Sequence, residues 1–122
     1  MTSRVLLKGH APIIERESDL VSECAKVAES MGAFLSCVGQ RRAKGSGTTI
    51  GFPDLVLICA GHVVLIETKR AKSADTPRGT LNMGQRWFID EAAEQGVTVH
   101  VIDSVDDFAA LVNMCRREAV AV

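Results

Sequence analysis

The chain has 122 residues, of which 47% are hydrophobic and 24% charged, and its formal net charge is −1. This apolar content fits one globular domain over residues 1–122 and argues against a disordered chain. Its apolar runs are far shorter than the roughly 20 residues of a membrane-spanning helix, and no apolar signal-peptide core is present, so we expect a cytosolic protein without a membrane partner.

The first half of the chain alternates helix and strand patterns. Apolar residues at helical spacing predict a helix over 17–31, and a short strand is expected over 33–38. A basic, glycine-rich stretch over 39–51 predicts a loop. Two apolar runs flanking Ala60-Gly61 then predict a β-hairpin from Asp54 to about Lys69.

The second half continues this alternation. Pro77 and Gly79 lie among polar residues over 70–80, which predicts a second loop. A helix is expected over 82–95 and a strand over 97–102. The spacing of Ser104 and Asp107 is typical of a capping box that begins a last helix. The resulting order, αβββαβα, predicts a single α/β domain.

The register of the hairpin decides which side chains meet at its open end. With a two-residue loop at Ala60-Gly61, Asp54 lies directly opposite Glu67, with Cβ atoms about 5 Å apart. Lys69 then shares the face of Glu67, because side chains alternate along a strand. A three-residue loop would instead set Asp54 opposite Thr68. Facing carboxylates destabilise a sheet, so we expect a cation or a protonated partner beside them.

The second strand of the hairpin is apolar on both faces before Glu67, which predicts a central strand covered on both sides. Glu67 and Lys69 would then be partly buried at its end. Two carboxylates that converge beside one ammonium favour a hard-metal site for phosphodiester cleavage. A simple ion pair between Glu67 and Lys69 is the structural alternative.

Two helical residues are further candidates. Glu17 falls inside the apolar stripe of the first helix and Glu23 outside it, so Glu17 could reach a metal or its water. Alternatively, Glu17 only stabilises the helix dipole, and Glu15 or Glu23 takes its place. Gln85 lies on the apolar face of its helix, where it could contact a phosphate or Lys69, or serve as a capping amide.

Positive charge gathers in the middle of the chain. Residues 39–88 contain eight basic and three acidic residues, whereas the remainder contains six basic and twelve acidic residues. Such clustering is typical of a surface that binds a polyanion. The predicted phosphate contacts are the basic side chains of the two loops, namely Arg41, Arg42, Lys44, Arg70, Lys72 and Arg78.

The four cysteines show no CxxC spacing, and three of them fall in apolar stretches. This pattern favours buried, reduced thiols over a zinc site or disulfides.

The motif Pro53-Asp54, followed after a hairpin by Glu67-Thr68-Lys69, matches that of the PD-(D/E)xK nucleases. Three further features indicate which group of these nucleases the chain resembles, namely Glu17 ahead of the motif, the segment 81–85 and the strand that follows. Over about residues 17–108 the chain resembles the VRR-NUC domains, the virus-type replication–repair nucleases, and particularly their small stand-alone phage and bacterial forms.

This resemblance implies a restriction-endonuclease-like αβββαβ core, in which helices flank a mixed central sheet. It implies Mg²⁺ or Mn²⁺ as cofactor, with these ligands: Glu17, Asp54, Glu67 and the Thr68 carbonyl. Lys69 would orient or deprotonate the attacking water, and Gln85 matches the helix glutamine of the family. The segment 70–80 is longer than the usual connection, which bears on the placement of Gln85.

The implied function is a metal-dependent DNA endonuclease, selective for branched DNA and similar to Holliday junction resolvases. Stand-alone members tend to be homodimers, so a homodimer acting in DNA repair in a bacterial or phage-infected cell is expected. The alternative is a non-catalytic nucleic-acid-binding or assembly module on the same fold. A third possibility is an α/β protein whose acidic residues are only structural.

Overall fold

The computed structural model describes residues 17–38 and 49–120. Its elements are α1 (Glu17–Met31), β1 (Phe34–Cys37), β2 (Leu55–Cys59), β3 (His62–Thr68), α2 (Met83–Glu94), β4 (Val99–Ile102) and α3 (Val105–Arg117). The predicted order of elements and the α/β class are therefore confirmed. No helix within the described residues is long and apolar enough to cross a membrane.

The hairpin of β2 and β3 has the two-residue loop. Ala60 and Gly61 both have positive φ, at 53° and 87°, as a type I′ turn requires of its two central residues. The ladder pairs Cys59 with His62 and ends with Leu55 opposite Ile66. The predicted register is confirmed, and its next step outward from Leu55 and Ile66 is Asp54 and Glu67.

The sheet is mixed, with strand order β1-β2-β3-β4. The pairs β1–β2 and β2–β3 are antiparallel, whereas β3 and β4 are parallel and are connected through α2. The two central strands are therefore those of the hairpin. The parallel ladder places Val101 beside Glu67 at the end of β3 where the charged residues lie.

The core lies between one face of the sheet and helices α1 and α3. Leu55, Leu57 and Ile66 are fully buried on that face and pack against apolar residues of both helices. Phe108 and Val112, one turn apart on α3, are fully buried in the same cluster. Ser104 begins α3 as predicted, since its hydroxyl accepts a hydrogen bond from the amide of Asp107 at 3.1 Å.

The opposite face of the sheet is only partly covered. Val63 is 67% exposed and its cross-strand partner Ile58 is 43% exposed. The prediction of a central strand covered on both sides is therefore wrong at this end of the hairpin. The physical reason is that α1 and α3 contribute to the core on the same side of the sheet, whereas α2 has no buried residue.

The thiols differ in their surroundings. Cys24, Cys59 and Cys115 are buried, as expected, but Cys37 is exposed at the end of β1, where the prediction of burial is wrong. Burial raises the pKa of the Cys24 thiol to about 12, so that thiol stays protonated and unreactive.

Candidate functional site

Asp54 joins the beginning of β2 to the end of β3. Its Oδ2 accepts hydrogen bonds from the Thr68 amide at 3.0 Å and from the Thr68 hydroxyl at 2.7 Å. Thr68 is fully buried, so these bonds fix the carboxylate against a rigid part of the sheet. The open end of the hairpin therefore presents Asp54 in one defined orientation.

Glu67 is a buried acid, with only 1% of its surface exposed. Its pKa is raised to about 8, above all by burial, then by the hydrogen bond and negative charge of Asp54 and by the charge of Glu17, while the Lys69 ammonium lowers it. The Glu67 carboxyl therefore holds its proton near neutral pH. A proton or a cation relieves the repulsion from Asp54, as the facing acids of the sequence predict.

Lys69 follows β3 and is 94% buried. Its backbone amide donates to the Ile102 carbonyl at 2.8 Å, which continues the pairing with β4. Its Nζ lies 4.0 Å from Oε2 of Glu17, the first residue of α1. The structure thus brings Glu17 beside the lysine, at the same end of the sheet as Asp54 and Glu67.

The two alternatives to Glu17 have different outcomes. Glu15 lies outside the described residues. Glu23 is buried, although the helical wheel places it outside the apolar stripe, and its Oε2 forms an ion pair with Lys26 at 3.2 Å. The helical wheel did not indicate this burial, and the ion pair of the carboxylate lies within α1. Glu17, not Glu23, is the acid of α1 that faces Lys69.

Gln85 contacts Glu67 through a capping box. The Gln85 backbone amide donates to Oδ1 of the N-cap residue Asn82 at 2.9 Å. The Asn82 backbone amide donates in return to Oε1 of the Gln85 side chain at 2.9 Å. This second bond occupies the carbonyl end of the Gln85 side chain. Nε2 therefore points the other way and donates to Oε2 of Glu67 at 2.9 Å. The partner of Gln85 is Glu67, not the predicted Lys69, and the capping alternative holds at the same time.

A close glycine contact brings α2 to this position. A Cβ on Gly51, whose φ is 81°, would lie 2.0 Å from the carbonyl oxygen of Gly84. Next to this contact, the rings of Phe52 and Phe88 pack edge to face, with centroids 5.3 Å apart. The segment before β2 is thereby held against the first turn of α2. The sequence signal for this contact was a glycine inside a predicted helix, which often marks a close backbone approach.

The long connection after Lys69 does not displace Gln85. The Gly79 amide donates to the Arg70 carbonyl at 2.8 Å, and the Arg70 guanidinium donates to the Pro77 carbonyl at 2.8 Å. These bonds close the loop at its base, so the additional residues form a side excursion. The chain then returns beside Lys69 before α2 begins.

Solved structures show which fold surrounds this site. No family model and no curated protein matches the sequence. One solved structure, described as a VRR_NUC domain, is 19% identical with a TM-score of 0.58, and the match covers 81% of this chain and 96% of that one. Another, described as a VRR_NUC domain protein, is 16% identical with a TM-score of 0.59, and the match covers 80% and 85%.

The chain has the VRR-NUC fold. At these identities the likeness establishes the fold alone, and the predicted resemblance is confirmed at that level.

The basic residues that were predicted to contact phosphate differ in their partners and in their exposure on the VRR-NUC fold. Arg70 binds within its own loop, and Nε of Arg78 forms an ion pair with Asp103 at 2.8 Å. Lys72 is exposed. The three basic residues of the first loop lie outside the described residues: Arg41, Arg42 and Lys44. Contact of all six with DNA stays a prediction.

The donor atoms at the open end suit a hard cation. Mg²⁺ binds oxygen ligands and is commonly held by one or two carboxylates, with water and substrate phosphates completing its shell. Asp54 and Glu67 provide two such carboxylates. Within residues 17–38 and 49–120, no three His, Cys, Asp or Glu side chains are grouped so that they could hold a metal ion. Glu17 and the Thr68 carbonyl as ligands stay predictions.

Proposed function

We propose that the chain is a divalent-metal-dependent endonuclease that hydrolyses phosphodiester bonds of DNA. The observation that carries this proposal is the environment of Glu67, which is buried beside Asp54 and accepts a hydrogen bond from Gln85. Burying a carboxylate costs several kcal/mol by order of magnitude unless it is paired or binds a metal. Two such acids have no use in a sheet that serves only stability.

Asp54 and Glu67 would hold Mg²⁺ or Mn²⁺, and we propose Glu17 and the Thr68 carbonyl as additional ligands. The ion, when bound, would lower the pKa of a water and stabilise negative charge at the scissile phosphate. The raised pKa of Glu67 supports this assignment, because a cation would replace the proton that this carboxyl otherwise holds.

The protein groups around the ion have separable tasks. Thr68 keeps Asp54 in place through two hydrogen bonds, and Gln85 fixes Glu67 through one. Lys69 carries a buried positive charge with Glu17 4.0 Å away. We propose that Lys69 orients or deprotonates the attacking water and offsets the charge that develops at the phosphate.

The proposed substrate is branched DNA such as a Holliday junction, and the proposed assembly is a homodimer, whose two sites would cut two strands. Support comes from the excess of basic residues over 39–88. Stand-alone VRR-NUC domains, which the sequence resembles, are similar to Holliday junction resolvases and tend to be homodimers, and the proposed setting is DNA repair in a bacterial or phage-infected cell.

A cleavage assay tests the proposal. Four-way junction, flap, nicked and linear DNA are incubated with wild type, Asp54→Ala and Lys69→Ala, in Mg²⁺ and separately in Mn²⁺. We expect cleavage of branched DNA by wild type and its loss in both variants, with folding retained by circular dichroism. Asp90→Ala, which removes an exposed acid of α2, is the matched control and should cleave like wild type.

Two outcomes would contradict the proposal. Metal-dependent cleavage that persists in both variants would show that these residues do not perform it. Salt-sensitive DNA binding by wild type without cleavage in either metal would favour the non-catalytic binding module instead.

A further inference from the structure

A pocket with three basic residues in its lining lies beside the candidate active site. It has a volume of about 290 Å³ and is lined by seven residues, among them Lys69, Arg78, Gly79, Thr80 and Arg86. Three of the seven carry positive charge and none carries negative charge. The pocket is formed where the loop after β3 returns along the sheet and meets the first turn of α2.

We propose that this pocket binds a backbone phosphate of nucleic acid next to the scissile one, and that Arg86 and Arg78 are its contacts. The position of the scissile phosphate near Lys69 rests on the proposed function, whereas the charge and shape of the pocket do not. Arginine suits this task because its planar guanidinium presents several donors to phosphate oxygens at once.

Arg86 is placed where it does not serve folding. Its side chain is exposed and has no hydrogen-bond or ion-pair partner within the part of the chain that the structure describes. It lies in the first turn of α2, which contains no acid. A positive charge there opposes the helix dipole and costs a few tenths of a kcal/mol, by order of magnitude. An anionic ligand accounts for this placement better than stability does.

Arg78 is held in a defined orientation at the other wall. Its Nε forms an ion pair with Oδ2 of Asp103 at 2.8 Å. Across residues 17–38 and 49–120, its two Nη groups have no partner, so they remain available to a ligand. Arg78 therefore resembles a positioned donor, whereas Arg86 resembles a free one.

The size and composition of the pocket favour one phosphodiester unit. About 290 Å³ is at the lower end of the range for small-molecule sites, roughly 300–1,000 Å³. The wall at Gly79 is already close-packed, since a Cβ there would lie 3.2 Å from the Arg70 amide and 3.6 Å from Cδ of Lys69. Because Lys69 lines both the pocket and the candidate active site, one strand can occupy both.

Binding measurements without metal test this proposal independently of cleavage. A fluorescein-labelled DNA duplex is titrated with Asp54→Asn protein in EDTA over a series of salt concentrations. Adding Arg86→Ala should weaken binding about tenfold and lower the slope of log K against log salt by about one. Arg86→Lys should keep that slope, because it keeps the charge. The matched control is Arg117→Ala, an exposed arginine at the opposite end of the molecule, which should change neither quantity.

Thermal unfolding separates this proposal from a structural role for Arg86, in which Arg86→Ala would unfold at a lower temperature. We expect instead that Arg86→Ala unfolds at the same temperature as its parent or slightly higher, because it removes a charge unfavourable to the helix dipole. In cleavage by the otherwise wild-type protein, Arg86→Ala should raise KM about tenfold and leave kcat within about twofold.

The proposal is overturned if Arg86→Ala has the same affinity and salt slope as Arg117→Ala, or if the parent does not bind DNA. The proposed function would fail in a different way. The wild-type protein would then cleave no DNA, although its DNA affinity and salt slope depend on Arg86 as predicted.

Discussion

The two ends of the β2–β3 hairpin differ in what holds them. At the closed end, the Ala60 carbonyl accepts a hydrogen bond from the Val120 amide at 2.9 Å, and Nε2 of His62 lies 2.6 Å from the Glu118 carbonyl oxygen. These contacts join the residues after α3 to the turn through backbone groups and the His62 imidazole. At the open end, the buried groups include the ionisable side chains of Glu67 and Lys69.

This difference separates stability from function within one element. The closed end uses hydrogen bonds to backbone carbonyls, which cost little to bury once they are formed. The open end buries the Glu67 carboxyl, whose pKa is raised to about 8 chiefly by burial, and a protein retains such an electrostatic cost where function requires it. Removing the charge of Glu67 should therefore lower activity and raise stability, whereas changes at the closed end should affect stability alone.

The largest effect is expected for Glu67→Gln. The amide keeps the shape of the side chain and an acceptor for Gln85, but it removes the charge. We expect cleavage to fall by about 10² or more, because an electrostatic group of the transition state is lost. At pH 8 the variant should be more stable than wild type by roughly 1–3 kcal/mol, measured by urea unfolding in EDTA.

Glu118→Gln provides the control at the closed end. Glu118 is exposed, and the contact with His62 uses its backbone carbonyl, so neither stability nor cleavage should change. Equal stability of wild type and Glu67→Gln at pH 8 would contradict the idea that the open end stores an electrostatic cost.

Two glycines allow a matched comparison of the two ends. Gly51 and Gly61 both have positive φ. A Cβ on Gly51 would lie 2.0 Å from the Gly84 carbonyl oxygen, and a Cβ on Gly61 would lie 2.7 Å from Cβ of Val120. Gly51→Ala should cost about 2–4 kcal/mol and also reduce cleavage, because it displaces the first turn of α2 and with it Gln85. Gly61→Ala should cost about 1–2 kcal/mol and leave kcat unchanged. A Gly61→Ala variant with impaired kcat, despite full folding, would break the comparison.

The stability of wild-type protein should depend on pH through Glu67. Its pKa is about 8 when folded and about 4.5 as the ordinary value, so the folded state binds the proton more tightly. The contribution of Glu67 to the free energy of unfolding should therefore be most favourable below about pH 4.5. It should fall by a few kcal/mol as pH rises towards 8. Unfolding by urea in EDTA over this range measures it.

Metal and mutation both sharpen this test. Millimolar Mg²⁺ should raise the unfolding temperature more at pH 8 than at pH 5, because the ionised carboxylates bind it. In Glu67→Gln the fall with pH should be much smaller. A wild-type curve that stays flat in EDTA, or the same fall in Glu67→Gln, would assign the electrostatic cost to other groups.

The sequence predicted what local rules determine. The hairpin register followed from a two-residue loop and period-two alternation, both of which act over a few residues. The pairing of Gln85 with Glu67 did not follow, because it depends on contact between Gly51 and Gly84, which lie far apart in the chain. The helical wheel likewise placed Gln85 on the correct face without identifying its partner.

Packing explains the other differences. An apolar strand predicts burial on both faces, but Ile58 and Val63 are exposed because α1 and α3 both join the core on the other side of the sheet. Burial of Glu23 could not be read from its helix alone, since the elements around α1 decide it. The length of the segment 70–80 suggested a displaced Gln85, whereas two hydrogen bonds close this loop at its base.

The smallest predicted effect concerns the capping box. Asn82→Ala should cost about 1 kcal/mol, because α2 loses the side-chain oxygen that accepts from the Gln85 backbone amide, and should lower cleavage about three- to tenfold, because the first turn of α2 then holds Gln85 less firmly. Ser104→Ala removes the N-cap of α3 and should cost about the same stability with no loss of kcat. Asn82→Asp keeps an acceptor for the Gln85 amide and should restore both quantities. Thermal unfolding measures the stability and single-turnover experiments measure the cleavage. Equal cleavage by the two Ala variants would show that the capping box only stabilises the beginning of α2, without orienting Gln85 towards Glu67.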